Sequence, residues 1–222
     1  MIGSHHGRQP GPNLIFFAGI HGNEPAGIYA LKHILDRLQS DAGSFRGNMY
    51  AIAGNIKALK GGSRYIHKDL NRIWYPNSII PPSERNYVAE YREKIDILKL
   101  LVSILDNGQP TYIFDLHTTS SHSMPFISIS DTLKNRRIIK SIPVHLILGL
   151  EELLDGPMFS FFSEMGLPAI LFEAGQHQAM SSVENHVAFI WTMLAKLKCI
   201  SKKRIPGNND PFTLLKNIPR GQ

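Results

Sequence analysis

The chain predicts an α/β layered domain built on a largely parallel sheet, and three observations lead there. Short apolar runs alternate with segments of helical spacing along most of the 222 residues. Several of the runs stop at turn formers, as at Gly19 and Gly54-Asn55. Residues able to do chemistry stand just past the run ends: His21 and Glu24, Asn55, His117 and Glu173. Ligands of parallel sheets gather beyond the carboxyl ends of the strands, so this fold class would bring those distant segments to one edge.

Taken in order, residues 13–19 read as a buried strand bounded by Gly11-Pro12 and Gly19. Residues 24–40 read as a helix, with Ile28, Leu31, Ile34, Leu35 and Leu38 at helical spacing and a polar stop at Ser40 to Gly43. Met49 to Ala53 is a second strand. Residues 56–82 show little periodicity and many turn formers, which suggests a long functional loop. Ser83 is placed to cap a helix reaching about Asn107. Strands follow at Thr111 to Leu116, Pro125 to Ile129, Val144 to Leu148 and Pro168 to Phe172. Between them lie a short basic helix from Asp131 to Lys140 and a helix after Pro157. A last helix runs from about Ser182 to Lys198, with Val183, Val187, Ile190, Trp191 and Leu194 on one face.

The length suits one domain, residues 1–222, with its core at about 11–200 and an irregular basic tail at 201–222. Hydrophobic residues at 43% and charged residues at 19% are ordinary for a soluble protein, and no apolar run is long enough to span a bilayer. The first residues carry no secretory pattern, and Gly3 to His6 resemble a tag remnant outside the fold. A lone cysteine, Cys199, excludes an internal disulfide framework and fits a reducing, cytoplasmic setting. Much of the +6 net charge sits in the tail, at Lys196, Lys198, Lys202, Lys203, Arg204, Lys216 and Arg220. Without interleaved aromatics or a reader motif, that tail argues for a solvated surface over nucleic acid. A small anionic substrate is the better-supported partner, and a homo-oligomer is left open.

His21 and Glu24 form a His-x-x-Glu pair at a strand-to-helix turn, and zinc in hydrolytic sites commonly takes two His and one Glu. His117, at another strand end, is the candidate third ligand, with Asp115 two residues back on the same face to take its other imidazole proton. Such a site still needs a general base, and Glu173 emerges at the same edge. Burial would raise its pKa and a nearby cation would lower it. Arg64, Asn71 and Arg72 share one segment, and guanidinium forks suit carboxylates and developing oxyanions. His122 and His177 lie near the same edge.

His21-Gly-Asn-Glu24-Pro, Gly54-Asn55, Arg64-Tyr65 with Asp69-Leu-Asn71-Arg72, Asp115-Leu-His117-Thr-Thr and Phe172-Glu173-Ala-Gly175 occur in that order. Together they resemble the aspartoacylase/succinylglutamate desuccinylase family, a branch of the zinc carboxypeptidase-like hydrolases. The resemblance covers roughly residues 11–200. It implies a three-layer α/β/α fold around a mixed, largely parallel sheet, and hydrolysis of an N-acyl amide with one zinc ion per chain. It assigns zinc to His21, Glu24 and His117 and water activation to Glu173. It further implies that Arg64 polarises the substrate carbonyl, that Asn71 and Arg72 hold a carboxylate, and that Asp69 supports the arginine segment.

Two departures stand out. Aspartoacylase-like members use a further arginine shortly before the catalytic Glu, yet none occurs here between Arg137 and Arg204. Many members carry a C-terminal β-rich domain over the site, whereas this chain ends at Gln222 with a short tail, implying a more open site or a truncated form. The rival readings are a carboxypeptidase acting on peptides and a non-catalytic metal- or nucleic-acid-binding protein.

Overall fold

Strand β1, Gly3–His6, opens the fold, and β2, Gln9–Ala18, follows it. In this computed structural model, which describes residues 1–39, 44–76, 80–81, 83–205 and 215, the first residues therefore belong to the sheet. β1 pairs antiparallel with β3, Arg46–Ala53, and so caps one sheet edge where a tag remnant was expected. Between β2 and β3 runs α1, Ala26–Gln39. The polar stop expected at residues 40–43 lies outside the described residues.

The segment after β3 is more ordered than its composition suggested. Asn55 caps a short helix α2, Ile56–Gly61, by accepting from the Ala58 amide, and Asp69 caps a 3-10 turn at Leu70–Arg72. These elements are too short for hydrophobic periodicity to reveal them. Ser83 does not cap the next helix. It lies in a turn, and α3, Ala89–Leu105, starts after Val88 with no side-chain cap.

β4 spans Thr111–Thr119 and β5 spans Phe126–Ile129. Thr132 caps α4, Leu133–Ile139, before β6, His145–Leu148. α5, Met158–Glu164, leads to β7, Ala169–Gln176, and α6, Met180–Lys196, follows. Cys199 is buried just past α6. Residues 206–214 and 216–222 of the expected irregular tail lie outside the described residues.

The sheet order is β1-β3-β2-β4-β7-β5-β6. The middle four strands run parallel, while β1 and β5 join their neighbours antiparallel. The result is a three-layer α/β/α domain with a mixed, largely parallel sheet. Period-two alternation sorts each central strand onto two cores. Leu14, Phe16, Phe114, Leu116, Ile170 and Phe172 face α1 and α6. Ile15, Phe17, Ile113, Ala169 and Leu171 face α3 and α5.

Helix α6 buries more than the expected face. Ala188, Phe189 and Met193 are also buried because the helix is held between the sheet and α1, while Val183 and Val187 are only partly covered. Phe189 stacks on Phe172 with ring centroids 4.1 Å apart. No helix among the described residues is long and apolar enough to cross a membrane.

Candidate active site

At the carboxyl end of β2 the chain turns through Gly19, whose φ of +65° suits a residue without Cβ. Gly22 then passes so close to α2 that an added Cβ would stand 2.1 Å from the Ala58 carbonyl carbon. Its amide donates to the Arg64 carbonyl at 3.1 Å. The tight turn that follows, with the Glu24 amide donating to the His21 carbonyl, brings His21 Nδ1 within 2.8 Å of Glu24 Oε1.

The other oxygen of Glu24 accepts from the Thr118 amide at 2.9 Å and lies 3.1 Å from His117 Nδ1. One ligand atom each from His21, Glu24 and His117 therefore falls within 4.8 Å of the others, and all three residues are buried. His117 lies within β4 instead of past its end, because the ladder with β7 continues through the His117–Glu173 pair.

The outer imidazole nitrogens face carboxylates. Asp69 Oδ1 is 3.0 Å from His21 Nε2, a contact that sequence reasoning had not assigned. Asp115 Oδ1 is 3.0 Å from His117 Nε2, as an ion pair lacking the alignment of a hydrogen bond. Such carboxylate–imidazole contacts are the usual support of metal-ligating histidines.

The electrostatics favour a cation. Burial raises the Glu24 pKa, but His117 and His21 outweigh it and hold the carboxyl well below its usual range. Burial lowers the His117 pKa, yet Asp115 and Glu24 drive it well above the ordinary histidine value. Two buried imidazoles thus meet three carboxylates, Glu24, Asp69 and Asp115, an excess of negative charge that demands compensation. A divalent cation among two imidazole nitrogens and a carboxylate oxygen would meet the same demand, and zinc accepts that donor set.

The segment from Arg64 to Arg72 closes over this triad. Arg64 donates through Nε and Nη2 to Asp69 Oδ2 at 3.1 and 2.9 Å, and its Nη1 stands 3.9 Å from Glu24 Oε1. Burial raises the Asp69 pKa, but His21, Arg64 and the Asn71 amide depress it overall. Asn71 is buried, with Oδ1 accepting from the Met158 amide at 2.8 Å and Nδ2 3.4 Å from His117 Nε2. Arg72 donates to the Asn71 carbonyl at 2.7 Å.

Glu173 shares a sheet face with Leu171 and stands in register with His117. Burial pushes its pKa up to about 7, opposed by His117 and reinforced by Glu24 and Asp115, and Oε2 is buried without a hydrogen-bond partner. A cleft of about 330 Å³ is lined by the triad, Arg64, Asn71, Arg72 and Glu173, with Asp69 and Asp115 behind its wall. His177 also lines it, its Nδ1 2.8 Å from the Thr118 hydroxyl, whereas His122 does not.

Sequence reasoning missed Glu90, a fully buried carboxylate on α3 that accepts from the backbone at residues 66–68. Besides the Asn55 side chain, its partners are main-chain amides, which leave no mark in residue types.

A family model described as the succinylglutamate desuccinylase/aspartoacylase catalytic domain matches residues 10–193. The chain belongs to this family. A succinylglutamate desuccinylase of Photorhabdus laumondii is 33% identical over 118 residues, covering 51% of this chain and 36% of that protein. One from Pseudomonas fluorescens is 30% identical over 112 residues, covering 50% of this chain and 32% of that protein. The matched region therefore spans about a third of the length of these curated relatives. A succinylglutamate desuccinylase/aspartoacylase structure from Rhodobacter sphaeroides superposes with a TM-score of 0.66 at 18% identity, covering 87% of this chain and 57% of that one. Murine aminoacylase 3 gives a TM-score of 0.63 at 18% identity, covering 86% and 66%. At such identities these structures speak for the fold alone.

Proposed function

We propose that this chain carries a zinc hydrolase domain that cleaves the amide bond of an N-acyl amino acid bearing a free carboxylate. The observation carrying the proposal is that the His21–Glu24–His117 triad and Glu173 line one cleft, with His117 and Glu173 paired on neighbouring strands. Membership in the desuccinylase/aspartoacylase family supports the reaction class. The lone, buried Cys199, its thiol pushed up to about 12 by burial, is in keeping with a cytoplasmic setting.

His21, Glu24 and His117 would hold the zinc ion, which supplies a Lewis acid and lowers the pKa of a water molecule. Glu173 accepts the proton of the attacking water and delivers it to the leaving nitrogen as the carbon–nitrogen bond breaks, ending in its starting ionisation state. Its burial favours the protonated form needed for delivery, and positive charge nearby favours the carboxylate needed for acceptance.

Arg64, steered by Asp69 toward the triad, polarises the scissile carbonyl and stabilises the oxyanion that develops on it. Arg72 and the Asn71 amide bind the free carboxylate of the substrate. Asp69 and Asp115 orient the two imidazoles from behind.

The test compares turnover of a panel of N-acyl amino acids, acidic and neutral in both parts, with that of short peptides, alongside zinc content by mass spectrometry. Release of the acyl group, abolished by a chelator and restored by zinc, is expected. Turnover confined to peptides would favour the carboxypeptidase reading, and no hydrolysis at all would favour the binding-protein reading.

A further inference from the structure

We propose that Glu90 is a positioning residue, the internal anion around which the Arg64–Asp69 segment folds, and that its charge sets both metal affinity and turnover. Glu90 is the second residue of α3 and is 0% exposed. Its Oε1 accepts from the Ile66 amide at 2.7 Å and from Asn55 Nδ2 at 2.9 Å. Its Oε2 accepts from the amides of His67 and Lys68 at 3.2 and 3.3 Å. Three successive backbone N–H groups converging on one carboxylate form an anion nest. Burial raises the Glu90 pKa, but the bonds from Asn55, from the Ile66 amide, from its own amide and from the Lys68 amide lower it overall, so these donors hold the charged form.

The amides in the nest belong to the stretch between Arg64 and Asp69. The Arg64 carbonyl receives the Gly22 amide, next to His21. Asp69 meets both the Arg64 guanidinium and His21 Nε2. Asn55, the fourth donor to Glu90, also caps α2, against which Gly22 packs. Glu90 touches neither the triad nor the cleft, yet every route from it ends on the turn that carries His21 or on the guanidinium aimed at Glu24. A carboxylate needed only to start α3 would have its bonds within that helix. Apart from the one from its own amide, those of Glu90 go to a segment about 22 residues earlier in the chain and to Asn55, just past β3.

The consequence for turnover rests on the hydrolase reading, whereas the ordering of residues 66–68 does not. Glu90→Gln keeps the shape, but its Nε2 adds a donor where only acceptors fit. Glu90→Ala opens a space of carboxylate size. Glu93→Gln, on the same helix but bonded to the Ile56 amide, is the control.

For Glu90→Gln, amide hydrogen exchange at residues 66–68 is expected to speed up at least about tenfold, with β4 and the middle of α3 unchanged. Zinc affinity, read by chelator competition, is expected to fall roughly 10-fold or more, and kcat by a similar factor with KM nearly unchanged. Sodium formate, and not sodium chloride, is expected to restore protection and zinc affinity in Glu90→Ala. Unchanged exchange at 66–68, or a uniform rise across all amides with no selective loss at the loop, would overturn the proposal. If the native chain hydrolyses none of the panel, the exchange and zinc measurements still decide the role of Glu90, and the hydrolase reading fails alone.

Discussion

His117 on β4 and Glu173 on β7 are direct register partners on adjacent parallel strands. Side chains at paired positions share a face, here the one that faces α3 and α5 lower in the sheet. The spacing between the candidate ligand and the candidate base is thus set by the pairing of β4 and β7.

Replacing Glu173 by Gln should remove the proton shuttle and leave the donor triad intact. Turnover of the best N-acyl amino acid is expected to drop about 10²- to 10⁴-fold, the usual range for a general base. Bound zinc should stay at the level of the native chain. Retained turnover would rule out this role for Glu173.

Asp69 joins Arg64 to His21 through its two oxygens. Asp69→Asn keeps the shape but cannot accept at both places, so zinc affinity should fall roughly 10- to 100-fold. Because Arg64 is released as well, kcat should fall further than loss of metal explains. Measuring kcat at saturating zinc separates the two effects. A variant fully active at saturating zinc would confine Asp69 to holding the imidazole.

Gly22→Ala would drive a methyl group into the backbone of α2. The expected cost is about 1–3 kcal/mol of stability, read as a lower denaturation midpoint with an unchanged slope. The displaced turn should also lose zinc. A midpoint equal to that of the native chain would show that α2 can move aside freely.

In the metal-free chain the raised pKa of Glu173 has a definite sign. Between the ordinary glutamate value of 4.5 and about 7, the folded state keeps a proton that the unfolded state has released. Stability linked to this group is therefore full below about pH 4.5 and is lost as pH rises toward 7, by about 3 kcal/mol at most. Denaturant melts of the chelated protein at pH 5 and 7, with and without Glu173→Gln, should show the decline reduced in the variant. An equal decline in both would assign it to other groups.

Apolar runs and turn formers identified β2 to β7 of the sheet, most clearly where burial on both faces forces continuous hydrophobic stretches at β2, β4 and β7. His21, Glu24, His117 and Glu173 were legible for the same reason, since each abuts such a stretch and parallel strands must end on one edge. The edge strand β1 was not, because four residues paired on one side carry no apolar pattern. Nor were α2 and the turn at 70–72, which are held by capping bonds from Asn55 and Asp69.

The order of ligand types along the chain is thus a property of the sequence alone, as is the alternation that sends Phe16 and Phe17 to opposite cores. Only the folded chain decided that Asp69 should meet His21 across 48 residues, and that Glu90 should gather the amides of residues 66–68. The physical reason is that such contacts depend on where a backbone passes in space. Main-chain amides are common to nearly every residue, and they acquire a specific partner only once the tertiary fold has brought one within reach.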